Sequence, residues 1–154
     1  MVRLIEASSP QDVELARSLF GEYQRAIGVD LCFQSFEEEL RMLPGRYAPP
    51  RGRLLLALEG DEPVGCGALR PIADGICELK RMWVRPAFRG RGAGRLVAGA
   101  LLAAARTEGY RAARLDTLET MAAARALYRS MGFREIPAYY DNPLPGVVYM
   151  ELAM

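Results

Sequence analysis

Histidine is missing from all 154 residues. Without an imidazole there is no Ser-His or Cys-His nucleophile pair and none of the usual zinc constellations, so most serine-hydrolase and metalloprotease chemistry is excluded. Proton transfer must fall to carboxylates, tyrosine, cysteine or the backbone. Cysteine is scarce too: Cys32, Cys66 and Cys77 are odd in number and lack C-x-x-C spacing. Buried free thiols are expected, not a disulfide framework or a metal site. Lysine occurs once, at Lys80, the other basic residues being arginine, and the net charge is only +1. Nucleic-acid binders carry a clear basic excess, so no nucleic-acid partner is expected. No apolar run approaches the ~18 residues of a membrane span, and "MVRLIEASSPQD" lacks the parts of a signal peptide. The expectation is a cytoplasmic protein with no membrane partner.

The chain does have ample apolar content, 51%, enough for one ordinary domain over residues 1–154. "VRLIEA" alternates like a strand. An amphipathic helix follows, with Ser9 as cap, Pro10 in its first turn and apolar positions from Val13 to Tyr23. A shorter helix starts at Ser35 and ends before Pro44. The segment from Arg53 to Pro86 breaks at "EGDEP" and "ADG" into three apolar runs, the pattern of an antiparallel meander whose last strand is Ile76 to Val84. From Gly92 to Gly109 the pattern is helical, "RAARLDTL" is a strand, "TMAAARALYRSMGF" is a helix closed by Gly132, and two short strands end the chain. Strand, loop, helix and strand in succession make a βαβ unit. The expected fold is a mixed α/β sheet, mostly antiparallel with a central parallel pair, and helices on both faces.

"RGRGAGR" stands between the last meander strand and the long helix. Amides at a helix N-terminus have no intrahelical partner and sit at the positive end of the helix dipole, which suits an anion. Gly90, Gly92 and Gly94 allow close backbone approach, and Arg89, Arg91 and Arg95 add guanidinium groups that match phosphate oxygens. A pyrophosphate is the natural ligand. A P-loop would need G-x-x-x-x-G-K-[ST], which is absent. A dinucleotide fingerprint would need a third glycine where Arg95 or Val97 stands.

The remaining pattern, R-x-x-G-x-G over Arg89, Gly92 and Gly94, together with "ELKRMWVRPAFRGRGAGRLV" and "ARALYRSMGF" some thirty residues later, resembles the GNAT superfamily of acetyl-coenzyme A dependent N-acetyltransferases. The resemblance spans roughly Arg53 to the C-terminus. It implies the acyl-CoA N-acyltransferase fold, with acetyl-CoA as donor cosubstrate, no metal and no acyl-enzyme. The pantetheine arm would lie against the main chain of Met82, Trp83 and Val84, where the sheet splays. A backbone N–H near Met82 or Val84 would form the oxyanion hole. Gly90, Arg91, Gly92, Ala93, Gly94 and Arg95 would hold the pyrophosphate.

By the same resemblance Tyr128 is the acid that protonates the departing thiolate, the alternative being that it only packs. Glu78 is the candidate base, directly or through water. Its alternatives are a salt bridge with Lys80 or Arg81, or a substrate anchor. Asp116 can face the cleft or serve as a cap or loop hydrogen-bond acceptor. Met121 stands where many members carry an asparagine that contacts coenzyme A. Tyr139, Tyr140, Asp141 and Asn142, facing Tyr23, Arg25 and Phe33, are candidates for the wall of an amine acceptor pocket. The activity implied is acetyl transfer to a primary amine of a small acceptor, with a homodimer as the family habit. A non-catalytic acyl-CoA sensor and a transferase for longer acyl chains stay open.

Overall fold

The computed structural model describes residues 1–28 and 35–154. Cys32 and Phe33 lie outside the described residues. Among the described residues seven strands form one sheet in the order β1-β2-β3-β4-β5-β7-β6. They are β1 (Val2–Glu6), β2 (Arg53–Glu59), β3 (Glu62–Ala73), β4 (Ile76–Val84), β5 (Ala112–Leu118), β6 (Arg134–Ile136) and β7 (Val147–Ala153). Every neighbouring pair is antiparallel except β4 and β5. That parallel pair is joined by helix α3 (Ala93–Thr107), because a parallel connection has to cross over one face of the sheet.

Two apolar layers cover the sheet. On one face, α1 (Pro10–Ile27) and α2 (Phe36–Met42) bury Leu19, Phe20 and Phe36 against Leu54, Leu56, Cys66 and Trp83. On the other, α3 and α4 (Ala122–Ser130) bury Val97, Leu101 and Tyr128 against Leu55, Leu69, Cys77 and Leu79. Helix α1 begins where its cap chemistry directs, with the Ser9 side chain accepting from Asp12 N–H at 3.1 Å, and it ends at Gly28 in the left-handed region. Cys66 and Cys77 are free and buried. Among the described residues no helix is long and apolar enough to cross a membrane.

The sheet does not stay closed. β4 and β5 pair only at Ile76 with Ala112, Cys77 with Ala113 and Glu78 with Arg114, and beyond that point no register joins them. The cause lies in β4. On the β3 side the register jumps from Ala68 opposite Lys80 to Cys66 opposite Trp83, so Arg81 and Met82 together face Gly67. Arg81 has φ 58, a left-handed conformation that costs an L-residue about 1–2 kcal/mol. Such a bulge bends its strand and increases the local twist, and here it coincides with the opening between β4 and β5.

Candidate active site

The loop from Arg89 to Gly92 turns β4 into α3. Gly90 and Gly92 both have φ 81, and a Cβ built on either would meet nothing within 4 Å. The backbone is therefore bare as well as left-handed here, leaving room for a ligand to approach. The first α-type hydrogen bond of α3 is Leu96 N–H to the Gly92 carbonyl, at 3.0 Å. The amides of Ala93, Gly94 and Arg95 precede it, in the orphan positions of a helix N-terminus. The three arginines are tethered around this point. Arg89 Nε donates to the Val84 carbonyl at 3.1 Å, Arg91 pairs with Glu59 at 3.0 Å and Arg95 donates to Ser130 Oγ at 2.7 Å. Each guanidinium has five N–H donors, so these contacts leave others for a phosphate. The residues fit a pyrophosphate.

Where β4 and β5 part, a cleft of about 40 Å³ opens, lined among others by Tyr23, Lys80, Arg81, Met82, Asp116 and Tyr128. The edge of β4 that turns toward β5 has lost its strand partner from Leu79 onward, so its main chain is available to an extended ligand arm. The Trp83 side chain is not part of that edge: its Nε1 donates to Glu22 at 3.3 Å and its ring meets Tyr23 edge to face. Tyr128 reaches the cleft from α4, packed on Phe133 with ring centroids 5.8 Å apart. Burial drives its pKa upward, so the phenol keeps its proton across the neutral range and can act as a donor.

Glu78 sits apart from the cleft lining, 1% exposed. Its carboxylate is gripped by Arg70 at 2.9 and 3.0 Å, and Tyr139 Oη donates to its other oxygen. The sequence suggests Lys80 or Arg81 as its partners. The partner is instead Arg70, directly opposite in β3, because directly opposed cross-strand neighbours lie closer than residues two apart along one strand, while Lys80 pairs with Asp116 and Arg81 with Glu39. Asp116, on β5, lines the cleft. Lys80 Nζ lies 3.5 Å from its Oδ1, and Tyr140 Oη and Asn142 Nδ2 donate to its Oδ2. The C-terminal loop thus brings Tyr139, Tyr140 and Asn142 to the open end of the sheet, while Arg25 is not among the residues lining the cleft. Lys80 and Arg81 do line it, although the sequence reading gave them no role of their own. The signal available was two consecutive cations inside an apolar strand.

The bare glycine loop at the head of α3, the parted β4 and β5 strands and a tyrosine reaching in from α4 occur in one chain, and residues 16–133 match the acetyltransferase (GNAT) family. The chain belongs to that family. It is a GNAT N-acetyltransferase, and enzymes of this family use acetyl-coenzyme A. An uncharacterized N-acetyltransferase of Schizosaccharomyces pombe is 41% identical over 147 residues, covering 94% of this chain and 90% of that protein. N-acetylaspartate synthetase of Danio rerio is 36% identical over 127 residues, covering 81% of this chain and 45% of that one. The fold is likewise that of GNAT structures: an acetyltransferase of Staphylococcus aureus superposes with a TM-score of 0.83 at 20% identity, over 99% of each chain.

Proposed function

We propose that this GNAT enzyme transfers the acetyl group of acetyl-CoA directly to the primary amine of a small-molecule acceptor. The observation that carries the reading is the junction of three features at one place. The bare amides of Ala93, Gly94 and Arg95 lie at one end of the β4 edge. The unpaired stretch of β4 that includes Met82 runs from there to the cleft, and Tyr128 lines the cleft itself. A small acceptor accords with a relative named N-acetylaspartate synthetase.

In this reading the loop from Arg89 to Arg95 grips the pyrophosphate by charge and backbone N–H groups. The β4 main chain at Met82, Trp83 and Val84 aligns the extended arm as an added strand, and a backbone N–H there steadies the charge that develops on the acyl oxygen. When bound, acetyl-CoA supplies an activated thioester. Asp116 receives the acceptor's ammonium, which gives up one proton to water to become the attacking amine. As the N–C bond forms and the C–S bond breaks, Tyr128 gives its proton to the departing sulfur, and the second nitrogen proton returns to the Tyr128 oxygen. Glu78 acts at one remove, its carboxylate holding Tyr139 in the wall of the acceptor side. The two outer strands of the sheet, β1 and β6, are the edges through which a homodimer would form.

The test is calorimetric titration of acetyl-CoA into the wild-type chain and into Gly92→Glu. The carboxylate would face the pyrophosphate, and a side chain at φ 81 would strain the loop. Binding in the wild type and its loss in Gly92→Glu are expected, and a variant that binds as well as the wild type would sink the loop's role. Tyr128→Phe, assayed by thiol release with an acceptor amine, is expected to keep coenzyme A affinity and lose about 10²–10⁴ in turnover.

A further inference from the structure

We infer that the acceptor is a primary amine carrying a nearby carboxylate, an amino-acid-like molecule, and that Lys80 with Arg81 forms the seat for that carboxylate. The inference rests on the acetyl-transfer reading above.

Consecutive side chains of a regular strand point to opposite faces of the sheet. Lys80 and Arg81 are consecutive in β4, yet both lie on the face beneath α1 and α2. Lys80 pairs with Asp116 and its Nζ lies 6.0 Å from the centre of the Tyr140 ring. Arg81 donates two hydrogen bonds to Glu39 of α2, at 2.8 and 3.0 Å, and its guanidinium lies 4.8 Å from the centre of the Phe36 ring. Their neighbours Leu79 and Met82 both pack in the opposite layer. The left-handed Arg81 makes this possible. A strained non-glycine residue persists only where the surroundings hold it, and strain of this kind clusters at ligand sites.

The two cations are 5% and 4% exposed, and both line the cleft that Tyr128 enters. Burial depresses the Lys80 pKa against the pull of Asp116 and Glu78, so a further carboxylate brought beside it would favour the charged form. The charge balance of this face also selects the acceptor. Arg70 pairs with Glu78, Lys80 with Asp116, Arg81 with Glu39 and Arg114 with Glu151. Among the described residues these cations each already face a carboxylate, so a plain alkylammonium brings a further charge into the layer whereas a zwitterion brings no net charge. Asp116 is held in place by Tyr140 and Asn142, so it can meet the ammonium while Lys80, a compact group with three donors, turns one of them to the carboxylate. Lys80 keeps its present partner in this arrangement.

The experiment compares matched acceptors on the full chain with acetyl-CoA: L-alanine, β-alanine and L-aspartate against their carboxamides and propylamine, read by thiol release. The carboxylate acceptors are expected to exceed the neutral ones by about tenfold or more in kcat/KM. Lys80→Met removes the partner of Asp116 and is expected to lower kcat/KM for both classes, but for the carboxylates by about tenfold more than for the carboxamides, a coupling that a merely structural lysine would not show. Because Lys80 is the only lysine, chain labelled with ¹³C-lysine gives one side-chain resonance. Its titration midpoint should rise with a bound carboxylate acceptor and stay put with the carboxamide. If Lys80→Met does not fold, the wild-type panel and the resonance decide alone. Neutral amines turned over as well as carboxylates, equal losses for both classes in Lys80→Met, or an unmoved resonance would overturn the anion seat while leaving acetyl transfer intact. Coenzyme A binding without thiol release from either class would instead overturn the acetyl-transfer reading, and the seat with it.

Discussion

At the scale of single residues, Glu78 separates the chemistry of the site from its stability. Its carboxylate is buried with Arg70 on one oxygen and Tyr139 on the other, so Glu78→Gln removes the charge while keeping the shape. Breaking a buried pair by one partner costs about 3–5 kcal/mol, and the lower end applies because Arg70 keeps some solvent. Urea unfolding is expected to show that loss, with coenzyme A affinity retained in the folded variant. A loss below about 1 kcal/mol would mean that the pair contributes little. The composition already singled out Glu78 as a carboxylate in an apolar strand. Its partner was not legible, since Arg70 is reached across the β3–β4 register and not along the chain.

Among the elements, α3 and the β3–β4 hairpin act as a unit around Gly67. A Cβ built there would stand 2.5 Å from Val97 Cγ1 and 2.6 Å from Met82 Sδ. The absence of a side chain is what lets α3 seat against the bulged strand. Gly67→Ala is therefore expected to destabilise by about 1–3 kcal/mol, the range for an overpacked core. Because Met82 is one of the residues displaced, coenzyme A affinity should fall too, measurable by the same calorimetric titration. A Gly67→Ala variant as stable as the wild type would show that α3 and Met82 shift freely. The helix itself was readable from its alanine and leucine periodicity and its glycine start. The bulge was not, because nothing in "ELKRMWV" marks Arg81 as left-handed; that conformation belongs to the sheet pairing and to the Glu39 contact from α2.

Over the whole molecule, both cores enclose groups that ionise only in alkali. Burial raises the thiol of Cys77 from its ordinary 9.0 up to about 12 and moves Cys66 and Tyr128 the same way. A raised folded-state pKa means that the native chain binds more protons than the unfolded one between the two values. The stability these groups contribute is complete below pH 9 and is lost as the pH climbs toward 12. Lys80, lowered by burial, opposes the trend up to its ordinary 10.5, but it is one group against several. The urea midpoint should therefore fall from about pH 9 upward, and less steeply in Cys77→Val; a midpoint flat through that window would contradict the burial of these groups. The order of the sheet belongs to this scale as well. Two C-terminal strands were expected, yet β7 lies between β5 and β6, so the final segment of the chain, not the one before it, closes on β5. Helix caps, glycine turns, the glycine-arginine loop before α3 and the Tyr128 motif were determined by the sequence itself, because each depends on backbone groups and side chains a few residues apart. Tertiary structure alone decided the opening of β4 from β5, the Glu78–Arg70 pair and the placing of Lys80 and Arg81 on one face, because these follow from strand register and packing between segments far apart in the chain.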